Sequence, residues 1–306
     1  MKAVRFHKYG GSEVLGVEEV EEPIPGEGEI SLRVLAAGIN PIDWKIVSGM
    51  LAGGKTLEAP RGLGVDVAGT VERIGPGVTG IAPGEELLGS PISPAYAEIA
   101  LSRPEMLVRK PPGVPWEVAG SLAVAAGTAY ATLDRLALKD GETVLILGAS
   151  GAVGLIAVQL AVARGVRVIG TAGQSKLAQL ESLGATAVLY GDGLEERLRS
   201  AAPDGVDGAL DASGHGELAA AVNLAGGTAR VLTIASSADA QATGVPFHAG
   251  GGGELTGRAL SEVLPLIEAG TFYFPIAGIY DLGQVGDALN ESQHGHPAGK
   301  LVVVPQ

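Results

Sequence analysis

The sequence predicts an α/β protein with a doubly wound parallel sheet in its second part and a β-rich unit in its first part. Three observations predict this class. Apolar strand-like runs alternate with helical segments from residue 143 onward, and a glycine-rich turn, Gly148–Gly154, joins the first of these strands to a helix. Before residue 115, short β-type runs are separated by frequent Gly and Pro. Both textures are typical of globular α/β folds.

The alternating section defines the parallel sheet. Each predicted strand is a continuous apolar run, as expected when helices cover both faces of a sheet. The predicted strands are Thr143–Leu147, Val166–Thr171, Ala187–Tyr190, Val206–Asp211 and Ala229–Ala235. The predicted helices are Ala152–Arg164, Ser175–Leu183, Leu194–Ala201, Glu217–Leu224 and Ala259–Ala269.

The first part of the chain favours a barrel-like β unit. Its clearest β-type runs are Ile30–Ala36, Val67–Ile74 and Glu85–Leu88, separated by Pro- and Gly-rich turns. An apolar helix is predicted over Trp116–Leu136. The C-terminal strands and helix, predicted at Phe272–Tyr280, Val285–Ser292 and Lys300–Val304, would extend the parallel sheet awkwardly, so we expect them to return to the first domain. The predicted domains are therefore 1–118 with 271–306, and 119–270.

Composition excludes several classes of function. Apolar residues make up 46% and charged residues 18% of the chain, which is typical of a globular protein. The net charge of −13 opposes binding to nucleic acid or to anionic membranes. With no cysteine, the chain has no disulfide, thiol nucleophile or thiolate metal site. No signal peptide or apolar span of roughly 20 residues is apparent, so we expect a cytoplasmic protein.

The turn Gly148–Gly154 carries the strongest chemical signal. It follows a predicted strand directly and opens an apolar helix, whose unpaired amides and positive dipole end bind a pyrophosphate. Glycines let the turn close and let phosphate approach the main chain. We therefore predict a dinucleotide site whose contacts include Ser150, Gly151, Ala152, Val153 and Gly154. The alternative is a glycine turn that only packs.

The end of the second strand of the sheet indicates which dinucleotide binds. NAD-binding proteins usually carry an Asp or Glu about 20 residues beyond the first glycine, on the ribose hydroxyls. Here the segment Ile169–Lys176 contains no carboxylate, and Lys176 is close enough to meet a 2′-phosphate. We therefore predict NADPH as the cofactor, with Thr171, Gly173 and Lys176 in its site. Taken alone, Lys176 could equally be a solvated residue in the first turn of a helix.

With these motifs the sequence resembles the zinc-free quinone oxidoreductase (zeta-crystallin-like) branch of the medium-chain dehydrogenase/reductase superfamily. The resemblance covers nearly the whole chain. It is carried by ordered motifs at Gly38–Lys45, Gly64–Val71, Ala95–Glu98, Gly127–Tyr130, Gly148–Gly154, Gly170–Gly173 and Ala298–Val302. The resemblance implies a GroES-like β-barrel catalytic domain, a Rossmann domain that binds NADPH, and a C-terminal return to the first domain.

The resemblance also bears on metal. Zinc enzymes of the superfamily place Cys and His ligands at the positions that Asn40 and Val65 occupy here. Tetrahedral zinc requires nitrogen or sulfur donors, so no metal site is expected. The pair His294 and His296 lies in a polar loop and is interpreted as solvated.

Further residues are assigned by the resemblance. It implies that Asn40 and Thr128 lie on the nicotinamide side and that Tyr190 lies near the adenosine phosphate, although Tyr190 could instead cap the core at the end of a strand. Ala235 and Ser236 follow the fifth strand, where ribose and nicotinamide usually pass. Lys300, in the closing motif, completes the predicted cofactor contacts. Asp43 is expected to anchor its own loop, and Asp211 to be structural.

Without a metal, hydride transfer requires an acceptor that is already electrophilic. Quinones and α,β-unsaturated carbonyls qualify, and Asn40 could stabilise the charge that develops on their oxygen. The predicted function is NADPH-dependent reduction of such a small molecule by a homodimer. The substrate pocket is expected to include 45–58, 89–96 and 243–258. The alternatives are an enoyl-thioester reductase of the same superfamily and a non-catalytic NADPH-binding redox sensor.

Overall fold

The computed structural model of the chain describes residues 1–295 and 297–305. The chain forms two compact units, one of Met1–Val124 with Thr256–Gln306 and one of Ala125–Leu255. The C-terminal segment thus belongs to the same unit as the N-terminal part. The second domain was predicted to extend to residue 270, whereas the second unit ends at Leu255.

The strands, in chain order, are β1 (Lys2–Phe6), β2 (Gly16–Glu19), β3 (Ile30–Gly38), β4 (Arg61–Gly62), β5 (Val67–Ile74), β6 (Glu86–Gly89), β7 (Ile99–Ser102), β8 (Leu107–Arg109), β9 (Thr143–Leu147), β10 (Arg167–Ala172), β11 (Thr186–Leu189), β12 (Gly208–Asp211), β13 (Val231–Thr233), β14 (Ile276–Tyr280) and β15 (Lys300–Val303). The α-helices are α1 (Pro41–Val47), α2 (Trp116–Ala119), α3 (Ala123–Leu136), α4 (Ala152–Ala163), α5 (Leu177–Ser182), α6 (Leu194–Ala201), α7 (Leu218–Leu224), α8 (Ser237–Thr243), α9 (Glu254–Glu268) and α10 (Val285–His294). None of the helices described is long and apolar enough to cross a bilayer.

The first unit contains two sheets. Seven strands form the larger sheet in the order β14-β15-β3-β5-β6-β8, with β7 also paired to β3. All of its pairs are antiparallel except β14 with β15. The smaller sheet has the order β2-β1-β4. Their core includes the buried side chains Phe6, Leu32, Tyr96 and Leu301. The predicted β-rich unit and the C-terminal return are both present.

The second unit is built on a five-stranded parallel sheet in the order β11-β10-β9-β12-β13. Its strands bury residues such as Leu145, Ile169 and Val231, against which helix residues Leu198 and Leu218 pack. This order confirms the predicted doubly wound parallel sheet. The order reverses beside β9, and ligands of such sheets bind at the carboxyl ends of the strands next to that reversal.

One predicted helix is wrong in its extent. The segment Trp116–Leu136 forms two helices, α2 and α3, rather than one. The interruption falls at Gly120, which lies against the main chain of β3. A Cβ on Gly120 would lie only 2.4 Å from the carbonyl oxygen of Ala36. The apolar pattern predicted a continuous helix because it reports burial and not this backbone contact. The helices α1 and α8 were not predicted.

Candidate functional site

The glycine turn after β9 contains two positions that no residue larger than glycine fits. Gly148 has a φ of 73°, in the left-handed region that favours glycine. A Cβ on Gly154 would lie 2.3 Å from the carbonyl oxygen of Gly148. These two residues therefore let β9 turn sharply into α4 and let the helix pack closely on the turn.

Gly151 differs from its two neighbours in the motif. It is exposed, and its φ of −75° and ψ of 167° suit any residue. A Cβ there would meet nothing within 4 Å except the Gly148 carbonyl oxygen at 3.4 Å. Folding therefore does not require a glycine at this position. The absence of a side chain at Gly151 leaves open space at the start of α4, where the amides of Ala152, Val153 and Gly154 lack partners in the preceding turn.

The turn is held in place by the next strand. Thr171 in β10 is buried, and its hydroxyl oxygen accepts a hydrogen bond from the amide of Gly148 at 3.0 Å. Its carbonyl accepts one from the amide of Ala149, also at 3.0 Å. Thr171 thus supports the turn from beneath, and Ser150 lies half-buried in the same turn.

Tyr190 and Gly173 pack together beyond β10, and Lys176 follows Gly173 in the chain. The ring of Tyr190 lies against Gly173, where a Cβ would come within 3.3 Å of Cε1 of the tyrosine. The amide of Tyr190 donates to the carbonyl of Ala172 at 3.2 Å. Tyr190 remains 45% exposed, so it does not cap the core. Lys176 is half-buried, and no described residue forms an ion pair or hydrogen bond with its ammonium group.

Asp211, at the end of β12, organises the loops that follow β12 and β13. One carboxylate oxygen accepts from the amides of Ser213 and Gly214 and from the Ser213 hydroxyl, at 3.0 to 3.1 Å. The other accepts from the hydroxyl of Thr233 at 2.8 Å. Asp211 therefore has a structural role at the carboxyl edge of the parallel sheet.

The two predicted residues after β13 have different neighbours. Ala235 packs against Gly214, where a Cβ would lie 2.9 Å from the Cβ of Ala235. The hydroxyl of Ser236 accepts from the amide of Asp239 at 3.1 Å and so caps α8. This cap follows the Ser-x-x-Asp pattern, a signal in the sequence that could have revealed the unpredicted helix.

Thr128 lies buried on α3 beneath a run of glycines. A Cβ on Gly250 would lie 2.9 Å from the Thr128 hydroxyl oxygen, and a Cβ on Gly251 would lie 2.2 Å from the carbonyl oxygen of Gly127. Two glycines of the region 243–258, which was predicted to line the substrate pocket, therefore pack against Gly127 and Thr128.

Asn40 belongs to a buried polar group in the first unit, which we term the Asn40 cluster: Asn40, Asp43, Asp66, Tyr96 and Lys300. The Asn40 carboxamide oxygen accepts from the Lys300 ammonium at 2.5 Å. Its amide nitrogen donates to Asp66 at 2.9 Å and to the carbonyl of Gly38 at 3.1 Å. Every polar atom of the side chain is therefore engaged, and Asn40 is only 3% exposed.

The two carboxylates of the cluster are held differently. Asp66 accepts from the amide of Val124 at 2.7 Å and lies 3.7 Å from the Lys300 nitrogen. Asp43 accepts, through a single oxygen, from the main-chain amide of Asn40 at 2.8 Å and from the Tyr96 hydroxyl at 2.6 Å. Its other oxygen is buried and has no partner among the described residues. Asp43 thus anchors the start of α1, as expected.

Burial dominates the electrostatics of the Asn40 cluster. It raises the pKa of Asp43 to about 6, because its hydrogen bonds with Tyr96 and Asn40 only partly offset desolvation. Burial likewise raises the pKa of Asp66 and lowers that of Lys300. No role was predicted for Asp66 or Tyr96, although both lie in the motifs that carried the resemblance. Their contacts join segments that are distant in the chain, so no local pattern reveals them.

Nothing in the described part of the chain resembles a metal centre. No group of three or more His, Asp or Glu side chains there is arranged to hold an ion. Asn40, at a position predicted to lack a zinc ligand, has its side chain engaged within the cluster. Of the histidine pair considered above, His296 lies outside the described residues.

Comparison with known families adds an independent finding. Residues 26–136 match the alcohol dehydrogenase GroES-like domain, and residues 152–255 match the family model described as a zinc-binding dehydrogenase. The first match identifies the β-rich unit as GroES-like, and the second falls on the parallel sheet. The predicted fold class, a GroES-like domain with a Rossmann domain, is confirmed.

Individual relatives agree over the full length of the chain. It is 31% identical to the 2-methylene-furan-3-one reductase of Solanum lycopersicum, covering 100% of this chain and 79% of that protein. It is 30% identical to the chloroplastic quinone oxidoreductase QR1 of Triphysaria versicolor, covering 100% and 98%. A mycobacterial protein solved in complex with NADPH is 27% identical, with a TM-score of 0.86 and complete coverage of both chains. The chain therefore belongs to the quinone oxidoreductase family of zinc-free medium-chain dehydrogenases/reductases.

Proposed function

We propose that this oxidoreductase is an NADPH-dependent reductase that transfers hydride to a quinone or an α,β-unsaturated carbonyl without zinc. The observation that carries the proposal is the open space over Gly151 at the start of α4. A pyrophosphate fits there because the site offers unpaired amides and the positive end of the helix dipole. The name of the mycobacterial neighbour's complex supports NADPH as the dinucleotide.

The residues beyond β10 support NADPH over NADH. The segment that follows β10, from Gly173 to Lys176, offers no carboxylate to a ribose hydroxyl. Lys176 is half-buried there without an ion-pair partner among the described residues, so its ammonium is available to a 2′-phosphate. Tyr190 presents an exposed ring beside Gly173, where it would pack on the adenosine. Thr171, Ala235 and Ser236 would complete the site mainly through the loops they hold.

The chemistry asks little of the protein beyond position. NADPH, when bound, supplies the hydride, and a conjugated acceptor is already electrophilic. We propose that Thr128 and Asn40 lie on the nicotinamide side. The Asn40 amide can donate to an acceptor oxygen only by giving up one of its present bonds, and the 3.1 Å bond to Gly38 is the longer of the two.

This role for Asn40 has a direct test. Asn40→Ala should lower turnover by about 10- to 1000-fold if it removes an oxyanion donor. NADPH affinity should change less. Because the substitution also removes the Asn40 oxygen that accepts from Lys300, the unfolding free energy must be measured alongside. A variant that turns over as fast as the parent would remove Asn40 from the chemistry.

The acceptor class is decided by a screen of NADPH oxidation with quinones, enones and enoyl thioesters. The names of the two plant relatives favour the first two classes. We expect turnover with a quinone or an enone, and none in a Gly151→Val control. Faster turnover of enoyl thioesters would support the alternative reductase, and NADPH binding without turnover of any acceptor would support the redox sensor.

We also propose that the enzyme acts in the cytoplasm, since a chain without cysteine suits a reducing compartment. The predicted homodimer is tested by sedimentation equilibrium of the purified protein. A monomer at micromolar concentration would contradict it.

A further inference from the structure

Four consecutive main-chain carbonyls, starting at the last residue of β11, converge on the guanidinium of Arg197. Nε donates to the carbonyl of Leu189 at 2.8 Å and Nη1 to that of Asp192 at 2.7 Å. Nη2 donates to Tyr190 at 3.3 Å and Gly191 at 3.1 Å. The segment Leu189–Asp192 is termed the carbonyl loop below. One side chain thus organises every carbonyl of this loop.

The sequence makes this convergence possible through two glycines. Gly191 has a φ of 90° and Gly193 a φ of 75°, both in the left-handed region. They turn the chain so that successive carbonyls point to one side, over the first turns of α6. A Cβ on Gly193 would lie 3.1 Å from Nη1 of Arg197. The loop therefore lies close to the guanidinium of Arg197, which remains partly exposed.

Only a guanidinium suits this arrangement. Its five N–H donors lie in one plane and have fixed directions, so they can serve several carbonyls at once. A lysine in its place has a compact ammonium on a flexible stem and cannot span the loop in the same way. The arginine also places its positive charge beside the negative ends of four carbonyl dipoles.

The carbonyl loop carries Tyr190, whose amide is bonded to Ala172 and whose ring lies on Gly173. Displacing the loop therefore moves the ring away from the residues that follow β10. Without the guanidinium, the carbonyl dipoles would also stand uncompensated near Gly173, where an anionic group is proposed to bind. Both effects would weaken binding of a phosphorylated adenosine.

We propose that Arg197 is a positioning residue that sets NADPH affinity by holding the carbonyl loop and compensating its dipoles. It acts through Tyr190 and need not touch the cofactor. The inference rests on the proposed NADPH function, and it adds a determinant that lies outside the glycine turn and outside Lys176.

The test compares Arg197→Met with Arg199→Met. Arg199 lies on the same helix and forms an exposed ion pair with Glu195, so its substitution removes the same charge without touching the loop. Affinities for NADPH and for adenosine 2′,5′-bisphosphate are measured by titration calorimetry. Turnover is measured at saturating NADPH. The bisphosphate reports on the adenosine end alone.

We expect Arg197→Met to raise both dissociation constants by about 10-fold or more, the scale of one charged hydrogen bond. Turnover at saturating NADPH should stay within about twofold of the parent, and Arg199→Met should match the parent throughout. Arg197→Lys, which keeps the charge but reaches fewer carbonyls, should fall between the two. It also serves as the test variant if Arg197→Met does not fold.

Two results would overturn the inference. If the parent binds both ligands and the Arg197 variants bind them equally well, Arg197 is only a structural residue of α6. If the Arg197 and Arg199 variants lose affinity equally, the effect is one of overall charge. If the unsubstituted protein binds neither ligand, the proposed function itself is contradicted.

Discussion

The Lys300 ammonium donates to the Asn40 carboxamide oxygen, although the two residues are 260 positions apart in the chain. An ammonium group has no acceptor, so this contact decides which end of the amide is oxygen. The amide nitrogen must then face Asp66 and the Gly38 carbonyl. The returning strand β15, which pairs with β3, thus orients a side chain of the first motif.

Lys300→Met should destabilise the protein strongly. It leaves the fully buried Asp66 without the cation 3.7 Å away, and removing one partner of a buried pair costs on the order of 3 kcal/mol. The measurement is the free energy of unfolding in urea. The double variant Asp66→Asn with Lys300→Met removes both charges and should be less destabilised than the sum of the two single variants. Additive losses would show that the two groups do not interact.

The stability of the protein should carry a pH dependence from Asp43. Burial raises the pKa of Asp43 from 3.8 to about 6 in the folded state, so the folded state binds the proton more tightly than the unfolded state. The contribution of Asp43 is therefore favourable below about pH 4 and is lost as the pH rises to about 6. The loss amounts to at most about 3 kcal/mol at 1.36 kcal/mol per pH unit. The charged and titratable neighbours facing Asp43 are Tyr96, Asp66 and Lys300.

Asp43→Asn isolates this effect because asparagine does not titrate. The unfolding free energy of the variant minus that of the parent should become more positive between pH 4 and pH 7. Urea unfolding of both proteins across this range provides the comparison. A difference that stays constant with pH would mean that Asp43 has its ordinary pKa in the folded protein.

The glycine turn should separate a binding glycine from a packing glycine. Gly151→Val should fold and lose dinucleotide binding, because its side chain would occupy only the open space over the turn. Gly154→Ala should instead destabilise the fold, because its Cβ would lie 2.3 Å from the Gly148 carbonyl oxygen. Thermal unfolding and NADPH titration of both variants provide the two readouts. Unchanged NADPH affinity in Gly151→Val would show that the turn is only structural.

The contrast between these two glycines marks what the sequence could predict. The order strand, glycine turn, helix is local, and it predicted the position of the turn and the parallel sheet. The spacing of the glycines did not distinguish Gly151 from Gly154. Their difference depends on how closely α4 approaches the turn, which only the structure shows.

Long-range partners limited the prediction of the site. The sequence favoured Asn40 as a donor to the acceptor oxygen, but it did not reveal that Lys300, Asp66 and the Gly38 carbonyl already engage its side-chain amide. Arg197 and Arg199 look alike in the sequence, as polar residues on one helix. Only the left-handed glycines beside β11 bring the carbonyl loop to Arg197. Such contacts follow from the folded backbone and leave no periodic trace.

Lys176→Glu should change the choice of cofactor. It places a carboxylate where a 2′-phosphate is proposed to bind, so NADPH should weaken far more than NADH. The shift should reach a few kcal/mol, the scale of a charged hydrogen bond. Lys8→Glu, at an exposed position in the first unit, makes the same change in charge and should leave both affinities unchanged. Equal losses for NADPH and NADH in Lys176→Glu would refute the assignment.

The central claim is zinc-free reduction of a conjugated acceptor by NADPH. Removing hydride from an alcohol requires stabilising alkoxide character, which zinc does in those enzymes that carry it. The most direct measurement is the steady-state rate of the exhaustively chelated enzyme with a quinone, with an enone and, in the reverse direction with NADP, with a primary alcohol. We predict full activity with a quinone or an enone after chelation and negligible oxidation of the alcohol. Activity that disappears on chelation and returns only with zinc, or robust alcohol oxidation, would contradict the account.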